Sequence, residues 1–167
     1  MTQSNEATAA DRFTLAVWRR LRDTGAPIAE ADVATIAADS GLDSDALARR
    51  LQGGAELNED GHLLGLAGLT VADHPHALWF GDHRLSTWCA WDPFFLAPAL
   101  GGTARLETAD PVSGETFAVD FVEGEPTATD DGAVLSMVDR TALRGVDGSG
   151  EEGPAVGESI EDVWSSF

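Results

Sequence analysis

The stretch LLGLAGLT, residues 63–70, lies where the spacing of apolar residues changes along this chain of 167 residues. Before it, apolar residues recur every three to four positions, which is typical of amphipathic helices. After it, short apolar runs follow a period near two, and turn signals such as Gly81-Asp82 and Ser113-Gly114 separate them, which is typical of strands. Helices followed by strands predict an α+β fold.

Three short helices and a hairpin are predicted on the N-terminal side. The helices run from Asp11 to Gly25, from Ala29 to Ser40 and from Asp43 to Gly53. The hairpin spans residues 56–64, and Asp60-Gly61 supplies its turn. This order is typical of a winged-helix-like module, which we assign to residues 11–65 after a disordered tail at residues 1–10.

Residues 66–144 are predicted to form a sheet-based core with one short helix over residues 92–102. The candidate strands are Gly68–Val71, Ala77–Phe80, Leu85–Trp88, Ala104–Thr108, Phe117–Phe121 and Ala133–Val138. Residues 145–158 are rich in Gly and Glu, which indicates a linker. With the amphipathic turn at residues 160–167, they make up a C-terminal segment of residues 145–167.

The charge of the chain argues against polyanionic partners. Twenty-nine acidic residues face ten basic ones, all of them Arg, so the net charge is −19. Such a surface repels nucleic acid and anionic membranes. The third predicted helix carries only two Arg, which favours a structural role for the winged-helix-like module over DNA binding. No basic and apolar leader and no membrane-length apolar run is found, so we expect a cytoplasmic protein.

The motif that points to chemistry is Trp88-Cys89-Ala90-Trp91-Asp92-Pro93. Cys89 is the single cysteine, which excludes an internal disulfide and any zinc site built on several thiolates. Asp92-Pro93 is a favoured start for a helix, with Asp92 as its N-cap. A helix start beside a thiol lowers the pKa of the thiol, so we expect Cys89 to titrate below about 8.5. A thiolate next to a carboxylate offers a nucleophile and a proton donor.

Plainer interpretations stand beside this one. A lone cysteine is often a small buried apolar residue, and Asp92 is first of all a helix cap. The aromatic residues Trp88, Phe94 and Phe95 fit a core or a pocket wall. The four histidines lack metal-ligand spacing, which predicts exposed loop positions: His62, His74, His76 and His83.

Three segments in this order resemble the alkylmercury lyases, the MerB family: LLGLAGLT at 63–70, WCAWD at 88–92 and TARLE at 103–107. The resemblance covers roughly residues 11–125 and implies a MerB-like catalytic core. It implies that Cys89 captures mercury as a transient ligand, that Asp92 shuttles a proton, and that aromatic side chains line the substrate pocket. It further implies a small organometal substrate, no bound cofactor, and an external small thiol for product release.

The chain departs from the family at one point, because the lyases use a second catalytic cysteine and this chain has one cysteine. A single-cysteine lyase is therefore one hypothesis. A lyase or hydrolase redirected to a metal-free organic substrate is another. A non-catalytic protein that binds soft metals through Cys89 is the third, since sulfur ligands select soft ions.

Overall fold

The computed structural model describes residues 7–127, which form an α+β fold, as predicted. The helices are α1 (Ala9–Thr24), α2 (Glu30–Asp39), α3 (Ser44–Gln52) and α4 (Pro93–Leu100). The strands are β1 (Ala55–Leu57), β2 (Leu63–Leu66), β3 (Leu69–Thr70), β4 (His76–Phe80), β5 (His83–Thr87), β6 (Ala104–Ala109), β7 (Thr116–Val122) and β8 (Glu125–Thr127). The strand predicted at 133–138 and the segment 145–167 lie outside the described residues.

Helix α1 begins at Ala9, two residues before the predicted start. Thr8 and Asp11 form a capping box, in which the Asp11 backbone N–H donates to Thr8 Oγ1 at 3.1 Å and the Thr8 backbone N–H donates to the Asp11 carboxylate at 2.9 Å. The predicted tail at residues 1–10 is thus wrong for residues 9 and 10, and residues 1–6 lie outside the described part.

The hairpin of β1 and β2 is present where it was predicted. Its loop is organised by Asn58, whose side-chain oxygen accepts hydrogen bonds from the backbone N–H groups of Asp60 and His62. Gly61 takes a left-handed φ of 78°, as the Asp-Gly turn signal requires. The assignment of these three helices and the hairpin to a winged-helix-like module stays a prediction.

One antiparallel sheet of eight strands runs through the described residues in the order β1-β2-β3-β5-β4-β6-β7-β8. Strand β2 pairs with β3, with Gly65 opposite Thr70 and Leu66 opposite Leu69. The sheet is therefore continuous across the predicted boundary at residues 65 and 66. The hydrophobic core is also shared, because Val17 and Leu21 of α1 belong to the same buried cluster as Leu78 of β4. The division of the chain into domains stays a prediction.

One face of the sheet carries two cross-strand rows of side chains, one apolar and one polar. The apolar row consists of Leu78, Leu85 and Leu106 on β4, β5 and β6, all at most 2% exposed. The polar row consists of His76, Thr87 and Thr108 on the same strands, each two residues away from the leucine of its strand. Strand β5 leaves the sheet at the polar row, so the polar row adjoins the Trp88-Cys89 motif.

Candidate active site

Cys89 lies two residues after the end of β5, and a hydrogen bond to its backbone carbonyl holds it there. The Thr87 hydroxyl donates to the Cys89 carbonyl oxygen at 3.0 Å, which folds the chain back as it leaves the strand. The Cys89 side chain is 8% exposed. Its burial agrees with the interpretation of a lone cysteine as a buried residue, so a chemical role depends on what surrounds the thiol.

The Asp92 carboxylate points back to Cys89. It accepts a hydrogen bond from the Cys89 backbone N–H at 2.9 Å and a second one from the Cys89 thiol. The predicted capping role of its side chain is wrong, because the carboxylate makes no hydrogen bond to the first turn of α4. The physical reason is the backbone of Asp92, which is already helical at φ −53° and ψ −40°, whereas a capping side chain needs an extended backbone. Pro93 occupies the first helical turn, as predicted.

The pKa of the Cys89 thiol is raised to about 11, so the expectation of an activated thiolate is wrong. Burial is the largest cause, and the negative charge of Asp92 and its hydrogen bond to the thiol act in the same direction. Backbone N–H groups of Trp91 and Asp92, at the start of α4, lower the pKa of the thiol, but by less than the other causes raise it. At neutral pH the thiol therefore keeps its proton and donates it to Asp92.

Burial also raises the pKa of Asp92 above its usual range. Hydrogen bonds from the backbone N–H and the thiol of Cys89 oppose this rise, and so does the nearby imidazole of His76. The carboxyl group thus combines two properties that a proton shuttle needs: it is hydrogen-bonded to the proton source, and it accepts a proton more readily than an exposed aspartate does.

His76 is a member of this site that the sequence analysis assigned to an exposed loop. It is 4% exposed, it lies in β4, and its Nδ1 is 2.6 Å from the Thr108 hydroxyl. The missed signal is alternation, because His76, Leu78 and Phe80 are spaced by two and share one face of the strand. The prediction that His76 is exposed is wrong, since the alternation continues to the end of the strand.

The three aromatic residues predicted to bind substrate lie in different surroundings. Trp88 is half-buried, and its indole N–H donates to the Glu56 carboxylate at 3.3 Å. Phe94 packs against other rings, with centroids 5.5 Å from Trp91 and 5.5 Å from Phe121. Phe95 is 41% exposed and packs at 6.1 Å from Trp18. Only Trp88 directly neighbours Cys89 in the chain; the substrate-binding role of all three stays a prediction.

A groove of about 410 Å³ lies between α1 and α4. Trp18, Phe95 and Ala67 contribute to its walls, whereas Cys89 and Asp92 do not. Phe95 therefore faces a different space from the thiol and the carboxylate.

Within residues 7–127, no group of three or more His, Cys, Asp or Glu side chains is arranged to hold a metal ion. His74 instead lies 3.4 Å from Glu56, and His83 Nδ1 lies 2.8 Å from the carbonyl oxygen of Arg22. None of the described helices is long and apolar enough to cross a membrane.

The segment that contains Cys89 and Asp92 matches a known protein family. Residues 69–146 match the family model of the alkylmercury lyases, MerB, and the match includes both Cys89 and Asp92. Over this segment, a little under half of its length, the chain is similar to the MerB family. The comparison with curated proteins found no match.

The fold of the chain resembles a solved structure, the mercury-bound form of MerB2. The TM-score is 0.56 at 18% sequence identity, and the match covers 69% of this chain. It covers 57% of the MerB2 chain, so the similarity extends over little more than half of that protein. At this identity the likeness concerns the fold.

Proposed function

We propose that this protein cleaves the carbon–mercury bond of small organomercurials, with Cys89 as the mercury-capturing thiol and Asp92 as the proton shuttle. The observation that carries the proposal is the buried pair itself: the only thiol of the chain donates a hydrogen bond to a carboxylate inside the segment that matches the MerB family. A soft sulfur ligand suits mercury, and a carbanion leaves readily only when a proton reaches it.

The Cys89 thiol supplies the one proton that a single turnover consumes. As the sulfur binds mercury, the thiol proton passes to the Asp92 carboxylate along the existing hydrogen bond. Asp92 then protonates the carbon as the carbon–mercury bond breaks. The reaction is R–Hg–SR′ + Cys89–SH → Cys89–S–Hg–SR′ + RH. An external thiol restores the enzyme by Cys89–S–Hg–SR′ + R′SH → Cys89–SH + Hg(SR′)₂, so the protein needs no bound cofactor and no second cysteine of its own.

The raised pKa of Cys89 fits this sequence of events, because mercury binding to sulfur expels the thiol proton without requiring a free thiolate beforehand. Trp88, adjacent to Cys89, is the aromatic residue we place against the substrate. We keep Phe94 and Phe95, in α4, as further substrate-binding residues; Phe95 would contact the substrate only from the groove between α1 and α4. In this proposal the substrate is a small molecule and the protein is a lyase that acts in the cytoplasm.

A structural role for residues 11–65 is part of the same proposal. Arg50 is one of the two Arg in α3, and its guanidinium donates to the Thr14 hydroxyl at 3.2 and 3.1 Å. That side chain is used to join α3 to α1 rather than to contact a phosphate. A gel shift of duplex DNA at low salt tests this, and a stable complex would contradict it.

The experiment incubates the full chain with a phenylmercury salt and excess small thiol and measures released benzene by gas chromatography. We expect Cys89→Ser to abolish benzene release and Asp92→Asn to reduce its rate by about 100-fold or more, since Asn cannot carry the proton. Asp82→Asn changes an exposed carboxylate in the β4–β5 turn and serves as the matched control, with an unchanged rate. Benzene release no faster than with thiol alone, or full activity of Cys89→Ser, contradicts the proposal.

A non-catalytic soft-metal binder is the second candidate, favoured by the single cysteine. Native mass spectrometry with Hg²⁺ distinguishes it: one retained mercury per chain, lost in Cys89→Ser, without benzene release supports a binder. Covalent trapping of Cys89 by electrophilic organic probes, with the organomercurial left intact, supports the redirected enzyme instead.

A further inference from the structure

The turn between β2 and β3 has an unusual backbone. Its two central residues, Ala67 and Gly68, both have positive φ, at 49° and 98°. A two-residue hairpin turn of this kind needs left-handed backbone at both positions, which glycine adopts freely and alanine adopts with strain. Such strain persists only where the surroundings hold it in place.

Gly68 lies directly against the Asp92 carboxylate. A Cβ atom at Gly68 would come within 2.9 Å of Asp92 Cγ and within 3.1 and 3.2 Å of its two carboxylate oxygens. The carbonyl oxygen of Gly68 also accepts a hydrogen bond from the Trp88 backbone N–H at 3.2 Å, which ties the turn to the motif. The carboxylate is therefore confined between the Gly68 α-carbon on one side and the Cys89 backbone N–H on the other.

Two hydrogen bonds from the N-terminal part of the chain hold this turn. The Trp18 indole N–H of α1 donates to the Leu66 carbonyl oxygen at 2.7 Å. The Ala67 backbone N–H donates to the carbonyl oxygen of Gly54, between α3 and β1, at 2.9 Å. The strained turn is thus anchored by elements that lie outside the catalytic motif.

We propose that Gly68 is a positioning residue for Asp92, and that the N-terminal helices serve the reaction by holding the Ala67-Gly68 turn against the carboxylate. The part of this inference that concerns catalysis rests on the proposed function. The steric part, that the turn sets the place of the carboxylate relative to the Cys89 N–H, can be tested without turnover.

The test compares Gly68→Ala with Gly61→Ala in the full chain. Gly61 also has positive φ, at 78°, but a Cβ there meets no atom within 4 Å, so its variant carries the backbone strain without the collision. The structural readout is the hydrogen-exchange rate of the Cys89 amide, measured by NMR. We expect this amide to exchange about tenfold faster in Gly68→Ala, because its acceptor is displaced, and to be unchanged in Gly61→Ala.

Benzene release is the second readout. We expect kcat to fall by about 100-fold in Gly68→Ala, as for a misplaced catalytic group, while one mercury per chain is still captured by Cys89. Wild-type exchange at the Cys89 amide in a folded Gly68→Ala would overturn the inference. If the wild-type protein releases no benzene but its exchange pattern responds as expected, the proposed function fails and the positioning role of Gly68 stands.

Trp18→Phe covers the case in which Gly68→Ala does not fold. It keeps a ring in the wall of the groove and removes only the hydrogen bond to Leu66. We expect the Cys89 amide to exchange about threefold faster in this variant, since the turn is loosened and not displaced. An unchanged exchange rate in folded Trp18→Phe would contradict the anchoring role of the N-terminal helices.

Discussion

The apolar row (Leu78, Leu85, Leu106) and the polar row (His76, Thr87, Thr108) cross the same face of one sheet, yet burial has opposite consequences for them. Burying the leucines is favourable by itself, at about 25 cal/mol for each Å² of apolar surface. Burying polar groups costs free energy unless each finds a partner. Within residues 7–127 every buried side-chain nitrogen and oxygen has one.

Burial of the apolar row therefore stabilises the fold, whereas burial of the polar row is possible only because its polar groups are hydrogen-bonded. At the polar row the thiol and the carboxylate are both buried, and both have raised pKa values. Such an arrangement keeps a proton between two groups at neutral pH, which an apolar end of the core could not do.

Leu78→Ala tests the apolar row. Leu78 is fully buried, so we expect the free energy of unfolding, measured with urea, to fall by about 3 kcal/mol through lost apolar contact and the cavity left behind. Leu57→Ala is the control, because Leu57 is 51% exposed, and should change it by less than about 0.5 kcal/mol. Similar losses for the two variants would show that the row does not dominate stability.

Raising the pH tests the raised pKa of the Cys89 thiol, which lies next to the polar row. A thiol whose pKa rises from 9.0 to about 11 on folding stabilises the folded state below pH 9, and this contribution is lost as the pH passes through 11. We expect the difference in unfolding free energy between wild type and Cys89→Ala to fall by about 2 kcal/mol over that interval. The chain has neither Lys nor Tyr, so no other side-chain type normally titrates there. Parallel pH profiles would contradict the raised pKa.

Thr108→Val tests a single hydrogen bond of the polar row. It removes the hydroxyl that lies 2.6 Å from His76 Nδ1 and keeps the size of the side chain. We expect the free energy of unfolding to fall by about 1 kcal/mol, because a buried ring nitrogen loses its partner. Thr127→Val removes an exposed hydroxyl that bonds to the Asp120 carbonyl and should have a smaller effect. Equal effects would indicate that burial adds nothing to the bond.

Much of the fold was predictable because its signals are local. Gly25 ends α1, Asp60-Gly61 turns the hairpin, and Pro93 starts α4, each through the backbone preferences of the residue itself. Strands β4 to β7 follow from period-two spacing, although β5 starts two residues before and ends one residue before its predicted bounds. Strand order, in which β5 lies between β3 and β4, depends on pairing across the sheet and has no local signal.

The contact between Cys89 and Asp92 was predictable from the sequence, whereas the pKa of the thiol was not. Local sequence placed Cys89 and Asp92 three residues apart at a helix start, and that spacing does bring them into contact. The direction of the pKa shift of Cys89 was predicted wrongly, because burial and the orientation of a neighbouring carboxylate are properties of the packed chain. Gly68, in the turn between β2 and β3, and His76, in β4, lie near Asp92 only because of how the strands pair in the sheet.

By itself, the sequence determined which reactive groups the candidate site has, one thiol and one carboxylate beside it, and the net charge of −19. Tertiary structure decided how those atoms behave. It buried the thiol, turned Asp92 away from the helix it was expected to cap, and set Gly68 against its carboxylate. The physical reason is that a pKa depends on solvent and neighbouring charge within a few ångströms, and residues distant in sequence supply both.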